Sequence, residues 1–136
     1  MATLRVYFLS LIAITTLCCG LSNKGFSVYG SWRWVKTQGA WTGDIYTPEL
    51  SGFTSKVVFQ ENGIAQFYRN DTLFDQVQFT LSKTHLISRR KEANVIRWNH
   101  KNLPDNQYIL LEGNDTLHLI ERTTEMSHFY YVPLRN

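Results

Sequence analysis

From Tyr29 onward the chain alternates short runs rich in Val, Ile, Phe, Tyr, Trp and Thr with turn-forming residues. Such side chains suit a pleated, half-buried surface. Turn signals about every 8–12 residues are the rhythm of an antiparallel sandwich or barrel. The spacing predicts strands over residues 30–37, 54–60, 64–70, 75–82, 84–90, 93–99, 107–112, 116–122 and 128–134. In Val77-Gln78-Phe79-Thr80-Leu81 the odd positions should face the core and the even ones water, because successive strand residues point to opposite faces. Thr116-Leu117-His118-Leu119 repeats the pattern and puts His118 on the polar side. Tyr108 to Leu111 is continuously apolar, as in a strand covered on both faces or one near a barrel mouth. Asn62-Gly63, Asn70-Asp71 and Gly113-Asn114-Asp115 supply hairpin turns, and Pro104 marks another. Asn70-Asp71-Thr72-Leu73 and Asn114-Asp115-Thr116-Leu117 echo each other; both match glycosylation acceptor patterns, and turn chemistry is the plainer reading. Neither a sustained 3.6-residue apolar period nor a βαβ alternation occurs in this part of the chain. The expected fold is all-β, an antiparallel up-and-down barrel of about 8–9 strands.

The first twenty residues read differently. Arg5 is followed by an uncharged stretch from Val6 to Leu17 and then by small residues, the layout of a secretory signal peptide. A membrane-spanning helix needs about 20 apolar residues, and this run is shorter. Cys18 and Cys19 stand where the run ends, a position that resembles the lipobox of bacterial lipoproteins. The resemblance implies acylation of Cys19, or of Cys18, and a membrane contact through that lipid anchor. Ordinary cleavage after Gly20 or Ser22 would instead leave a soluble secreted protein. The expected organisation is a signal peptide over 1–20, a tether over 21–29 and one barrel domain over 30–136.

Composition narrows the function classes. A chain of 136 residues with 18% charged side chains is too short for a two-domain enzyme and too apolar to be disordered. The net charge of +3 is small and scattered, which argues against nucleic acid as a partner. Two adjacent Cys cannot staple a small fold, so no disulfide framework is expected. The four histidines show no metal-ligand spacing, and no Gly-x-Ser-x-Gly elbow or phosphate-cradling Gly loop is present. The chain therefore reads as a non-enzyme without cofactor or metal. Arg89-Arg90-Lys91 reads as a charged hairpin that discourages edge pairing.

Residues 38–52 form a long connection containing Gly39, Gly43, Pro48 and Gly52 together with Trp41 and Tyr46. Those two aromatics either plug a barrel end or form a lid over a pocket.

Gly30-Ser31-Trp32-Arg33-Trp34 resembles the Gly-x-Trp motif that opens lipocalin-like barrels. Pro48, Val57-Val58-Phe59, Asn62-Gly63, Phe67-Tyr68 and Phe129-Tyr130-Tyr131 follow in the matching order. The chain is thus similar to the small lipocalin-like lipoproteins of Bacteroidetes. That resemblance implies that Trp32 lies across the closed barrel end with an Arg of the last strand stacked on it, a role Arg135 fills by position. Pro133 departs from the pattern, since it removes a ladder donor near the closure.

All but Tyr7 and Phe8 of the chain's 8 Phe, 7 Tyr and 4 Trp lie after residue 20. An eight-stranded barrel either fills its interior with side chains or holds one small ligand. Phe67, Phe79, Trp98, Tyr108 and Tyr130 are the expected interior lining, with Trp41 and Tyr46 at the mouth. The expected function is non-covalent binding of a small, partly apolar molecule in the barrel by a monomeric protein of the bacterial cell envelope. It would be a periplasmic or outer-membrane lipoprotein, or a secreted soluble protein. The alternative is a filled barrel serving as a protein-interaction or inhibitor module.

Overall fold

The computed structural model describes residues 27–86, 91–101, 103, 106–112, 115–121 and 126–134. The elements run β1 (Gly30–Gln38), β2 (Ile45–Tyr46), α1 (Pro48–Ser51), β3 (Ser55–Phe59), β4 (Ile64–Arg69), β5 (Thr72–Leu86), β6 (Lys91–Trp98), β7 (Asn106–Glu112), β8 (Thr116–Glu121) and β9 (His128–Pro133). Every pairing is antiparallel between sequence neighbours, except that β1 skips β2 to reach β3 and also pairs with β9. The sheet therefore closes into an eight-stranded barrel, with β2 as a two-residue addition beside the end of β1. The all-β, up-and-down barrel expected from the strand rhythm is the fold observed.

Turn chemistry sets the register. Asn70 and Asp71 both take positive φ, 47° and 62°, as a two-residue hairpin turn requires. At Asn62-Gly63 only the glycine is left-handed, φ 81°, and the Asn62 side chain instead accepts the Ile64 N–H at 3.1 Å. A Cβ on Gly63 would meet the Phe79 carbonyl at 3.2 Å, so this turn packs directly against the next strand.

Two expectations need correction. Residues 75–82 and 84–90 were expected as separate strands, but β5 runs unbroken from Thr72 to Leu86. Lys83 alone separates the two apolar patterns, and neither Gly nor Pro is there to interrupt the ladder. The connection over 38–52 is not irregular throughout, since it contains β2 and the single turn α1. Thr47 caps that turn through its hydroxyl, Pro48 stands at its start, and Gly52 ends it at φ 73°.

The core lies inside the barrel. Val57, Phe59, Ala65, Val77, Phe79, Ile96, Trp98, Ile109, Leu117 and Leu119 are buried together, with Phe67, Phe129 and Tyr131 packed against them. The alternation read at Val77 and Phe79 holds, as both are buried and Gln78 and Thr80 are exposed. Leu81 is 37% exposed because β4 pairs only as far as Gln78 and leaves the outer part of β5 uncovered on that side. Val28 also lies in the core, and its carbonyl accepts the Trp32 indole N–H at 2.6 Å. The packed unit thus includes a residue of the segment expected as tether.

The closure joins β1 to β9. Trp32 stands opposite Pro133, and the Leu134 N–H bonds the Ser31 carbonyl at 2.9 Å. Pro133 is accommodated without a slip, and the irregularity falls between Trp34 and Lys36 instead. The extra residue there, Val35, reverses the strand's facing. Trp34 is buried, whereas Lys36 lies over the outward Tyr130. Arg135, Cys18 and Cys19, and the expected signal peptide, lie outside the described residues.

Burial pushes the Tyr131 hydroxyl well above the ordinary phenol range. A raised folded-state value contributes stability that is complete below about pH 10, the unfolded phenol value, and is lost as pH rises beyond it. Thermal unfolding between pH 8 and 11.5 should show this loss. Tyr131→Phe should flatten it, and an unchanged alkaline slope in the variant would contradict the assignment.

Candidate functional site

The barrel's interior aromatics are spent on one another. Trp98 lies 5.5 Å from Phe67, 5.9 Å from Phe59 and 6.1 Å from Phe79 between ring centroids, and Phe59 meets Phe79 edge-on at 5.3 Å. The Trp98 indole N–H donates to buried Gln107 at 3.0 Å. Phe67, Phe79 and Trp98 therefore lie inside, as expected, but as mutual packing partners. Tyr108 and Tyr130, expected beside them, lie on the outer face. Gln107 and Ile109 take the inward positions flanking Tyr108, and Phe129 and Tyr131 those flanking Tyr130. The period-2 rule was right, but the parity of the continuous runs 108–111 and 129–131 could not be read from their composition.

At the mouth two aromatics remain open, as Phe74 and Tyr29 do elsewhere on the surface. β1 ends at Gln38 and pairs with β2 through Thr37–Tyr46 and Gln38–Ile45, so residues 39–44 must turn back sharply. The Gly39 N–H bonds the Asp44 carbonyl and the Gly43 N–H bonds the Gly39 carbonyl, both at 3.0 Å. Gly43 takes φ 70°, and a Cβ on Gly39 would come within 2.7 Å of the Thr42 hydroxyl. Both glycines are thus required by the turn. Thr42 Oγ1 accepts the Asp44 N–H at 3.3 Å. The turn holds Trp41 outward at 79% exposure, with Tyr46 at 54%. Trp41 is therefore no barrel plug.

Beneath this turn is a half-open cleft of about 560 Å³, lined by Thr37, Gly39, Trp41, Thr42, Asp44, Tyr46 and Ser127. Thr37 is positioned from below, since its hydroxyl accepts the Trp34 indole N–H at 2.9 Å. The volume lies within the range of about 300–1,000 Å³ usual for small-molecule sites. A second, smaller cleft of about 250 Å³ contains Arg33, Ser55 and Lys56, but Lys56 is already paired with Asp71 at 3.1 Å and lies over the Tyr68 ring.

A third grouping escaped the sequence reading. His118 Nε2 and His128 Nδ1 are 2.9 Å apart, and Tyr130 stacks on His118 at 4.2 Å. The register shows why: His118 faces Tyr130 across the β8–β9 ladder, which puts His128 on the diagonal of the same outer face. His118 is the polar-side residue expected, yet it is only 5% exposed. The ring centroids are 5.0 Å apart, so the two nitrogens point almost head-on. That geometry shares one proton between a donor and a lone pair; a metal would need both lone pairs aimed at a common third point. Among the described residues no three His, Cys, Asp or Glu side chains converge as a metal site.

Fold and site together define a closed antiparallel β-barrel with an apolar, aromatic-rich core and an aromatic cleft at one rim. Comparison with known proteins gives no matching family model, no matching curated protein and no matching solved structure.

Proposed function

We propose that this barrel is a non-covalent binding protein whose ligand, a small and partly apolar molecule, sits in the rim cleft between the β1–β2 turn and Ser127. The observation that carries this reading is the exposure of Trp41 and Tyr46 over a cleft of about 560 Å³ while the aromatics inside pack on one another. Exposing a large ring to water forgoes much of its burial energy, and contact with a ligand recovers it. The protein belongs to the cell envelope in this proposal, acylated at Cys19 or Cys18, as the lipobox resemblance implies.

The second reading, a protein-interaction module, draws on the same segment, where Ile45 and Leu50 are exposed alongside Trp41 and Tyr46. Mass spectrometry of natively purified protein separates the two: it reads a co-purified small molecule and any acyl chains in one measurement. A fluorescent apolar probe should bind the purified protein at one site, and Trp41→Ala should weaken it at least about tenfold, the loss of roughly 1.4 kcal/mol of contact. Equal probe affinity in the variant would remove the cleft as the site.

A further inference from the structure

The cleft's charge is as informative as its shape. The whole chain is basic, at +3, yet Asp44 is the only charged side chain among the described residues lining the cleft. No described cation pairs with the Asp44 carboxylate; the bonds at this residue are made by its backbone, to Thr42 and Gly39. Trp41 on the turn and Tyr46 on β2 line the same cleft, and both side chains are exposed. The backbone of the turn that carries Trp41 and Asp44 is fixed by its own hydrogen bonds.

An aromatic face attracts cations through its quadrupole, and Trp is the best of the ring donors. The Asp44 carboxylate adds a full negative charge to the same lining, at an exposed position. Neutral apolar ligands would gain nothing from Asp44, and anions would be repelled by it. Thr37, Thr42 and Ser127 add hydroxyl groups that can bond a polar tail.

Resting on the proposed binding role, we infer that the rim cleft takes an organic cation, a quaternary or multiply alkylated ammonium group held between Trp41 and Tyr46 with Asp44 as its counter-ion. The class combines the two properties the lining calls for, a positive charge and an apolar surface of methyl groups.

Calorimetric titration of the purified protein with choline and with its neutral carbon isostere, 3,3-dimethylbutan-1-ol, tests this. Choline should bind at least about tenfold more tightly than the isostere, a difference of the size cation–π and charge contacts give. Asp44→Asn should reduce that preference, leaving the part due to the rings, and Trp41→Ala should weaken choline further; the Asp44→Asn variant keeps the backbone bonds of the turn. Phosphatidylcholine vesicles carry the same group on a lipid. Co-sedimentation that free choline competes away assigns a lipid headgroup, and choline binding without co-sedimentation assigns a free solute; either supports the inference. Equal affinity for choline and isostere, both lost in Trp41→Ala, would overturn the cation and keep the cleft. Tighter binding of a neutral methyl glycoside, indifferent to Asp44→Asn, would also overturn it. No binding of any probe would overturn both the cation and the cleft.

Discussion

Trp98→Ala should destabilise the barrel by about 3–5 kcal/mol, the usual cost of removing a large buried aromatic. For a domain of this size that lowers Tm by more than about 10 °C. The magnitude follows from position. Trp98 is 7% exposed at the centre of the interior aromatics, within 6.1 Å of three phenylalanine rings. A closed barrel cannot collapse onto the void, because its ladder of strands fixes the circumference. The substitution also strands the buried Gln107 side chain, whose oxygen accepts the indole N–H. Trp98→Phe separates the effects: it keeps most ring contact and loses the hydrogen bond, for about 1–3 kcal/mol. Thermal or urea unfolding reads both. A Tm for Trp98→Ala within about 3 °C of the parent would mean that the interior does not depend on this ring.

The second large effect is expected at Trp32. Its alanine variant should also lose about 3–5 kcal/mol. Here the ring lies at the closure, opposite Val57 on one side and Pro133 on the other. Its indole N–H secures the Val28 carbonyl, tying the segment before β1 into the core. Trp32→Phe should therefore cost about 1–3 kcal/mol through the orphaned carbonyl. Hydrogen exchange should show the residues before Gly30 opening in that variant while β3 to β8 stay protected. Unchanged protection before Gly30 would show that Val28 is held by its side chain alone.

Much of the architecture was legible because β structure writes itself in short, local signals. Asn70-Asp71 and Asn62-Gly63 mark hairpins whose backbone angles few other residues accept, and Val77-Gln78-Phe79-Thr80 declares its faces. Where the pattern is continuously apolar it declares nothing, which is why Tyr108 and Tyr130 were assigned inward and lie outward. The break expected between Ser82 and Thr84 failed for a related reason: a strand ends where a turn residue stops it, and one lysine does not. The helix α1 was readable from Thr47-Pro48-Glu49 and Gly52, a cap and a stop, but its length of one turn offers no periodicity to notice. At the site, Trp41 and Tyr46 could be placed at the mouth from the length and glycine content of their connection. Asp44 could not be singled out, because the role proposed for it rests on its place in one cleft with Trp41, Tyr46 and Ser127, a property of three dimensions. The His118–His128 contact was hidden likewise, since ten residues of sequence separate rings that the β8–β9 register makes diagonal neighbours.

The pairing of β1 with β9 has a topographic consequence. The chain comes into the barrel at Val28, beside the Leu134–Ser31 hydrogen bond, whereas the cleft begins at Thr37, near the other end of β1. Nine strand residues at about 3.3 Å each put roughly 30 Å between the two ends. A barrel moored to a bilayer through Cys19, as proposed, would stand with its point of attachment below and its binding mouth on the far side. It would sample the aqueous compartment in front of it, with its own body as the spacer.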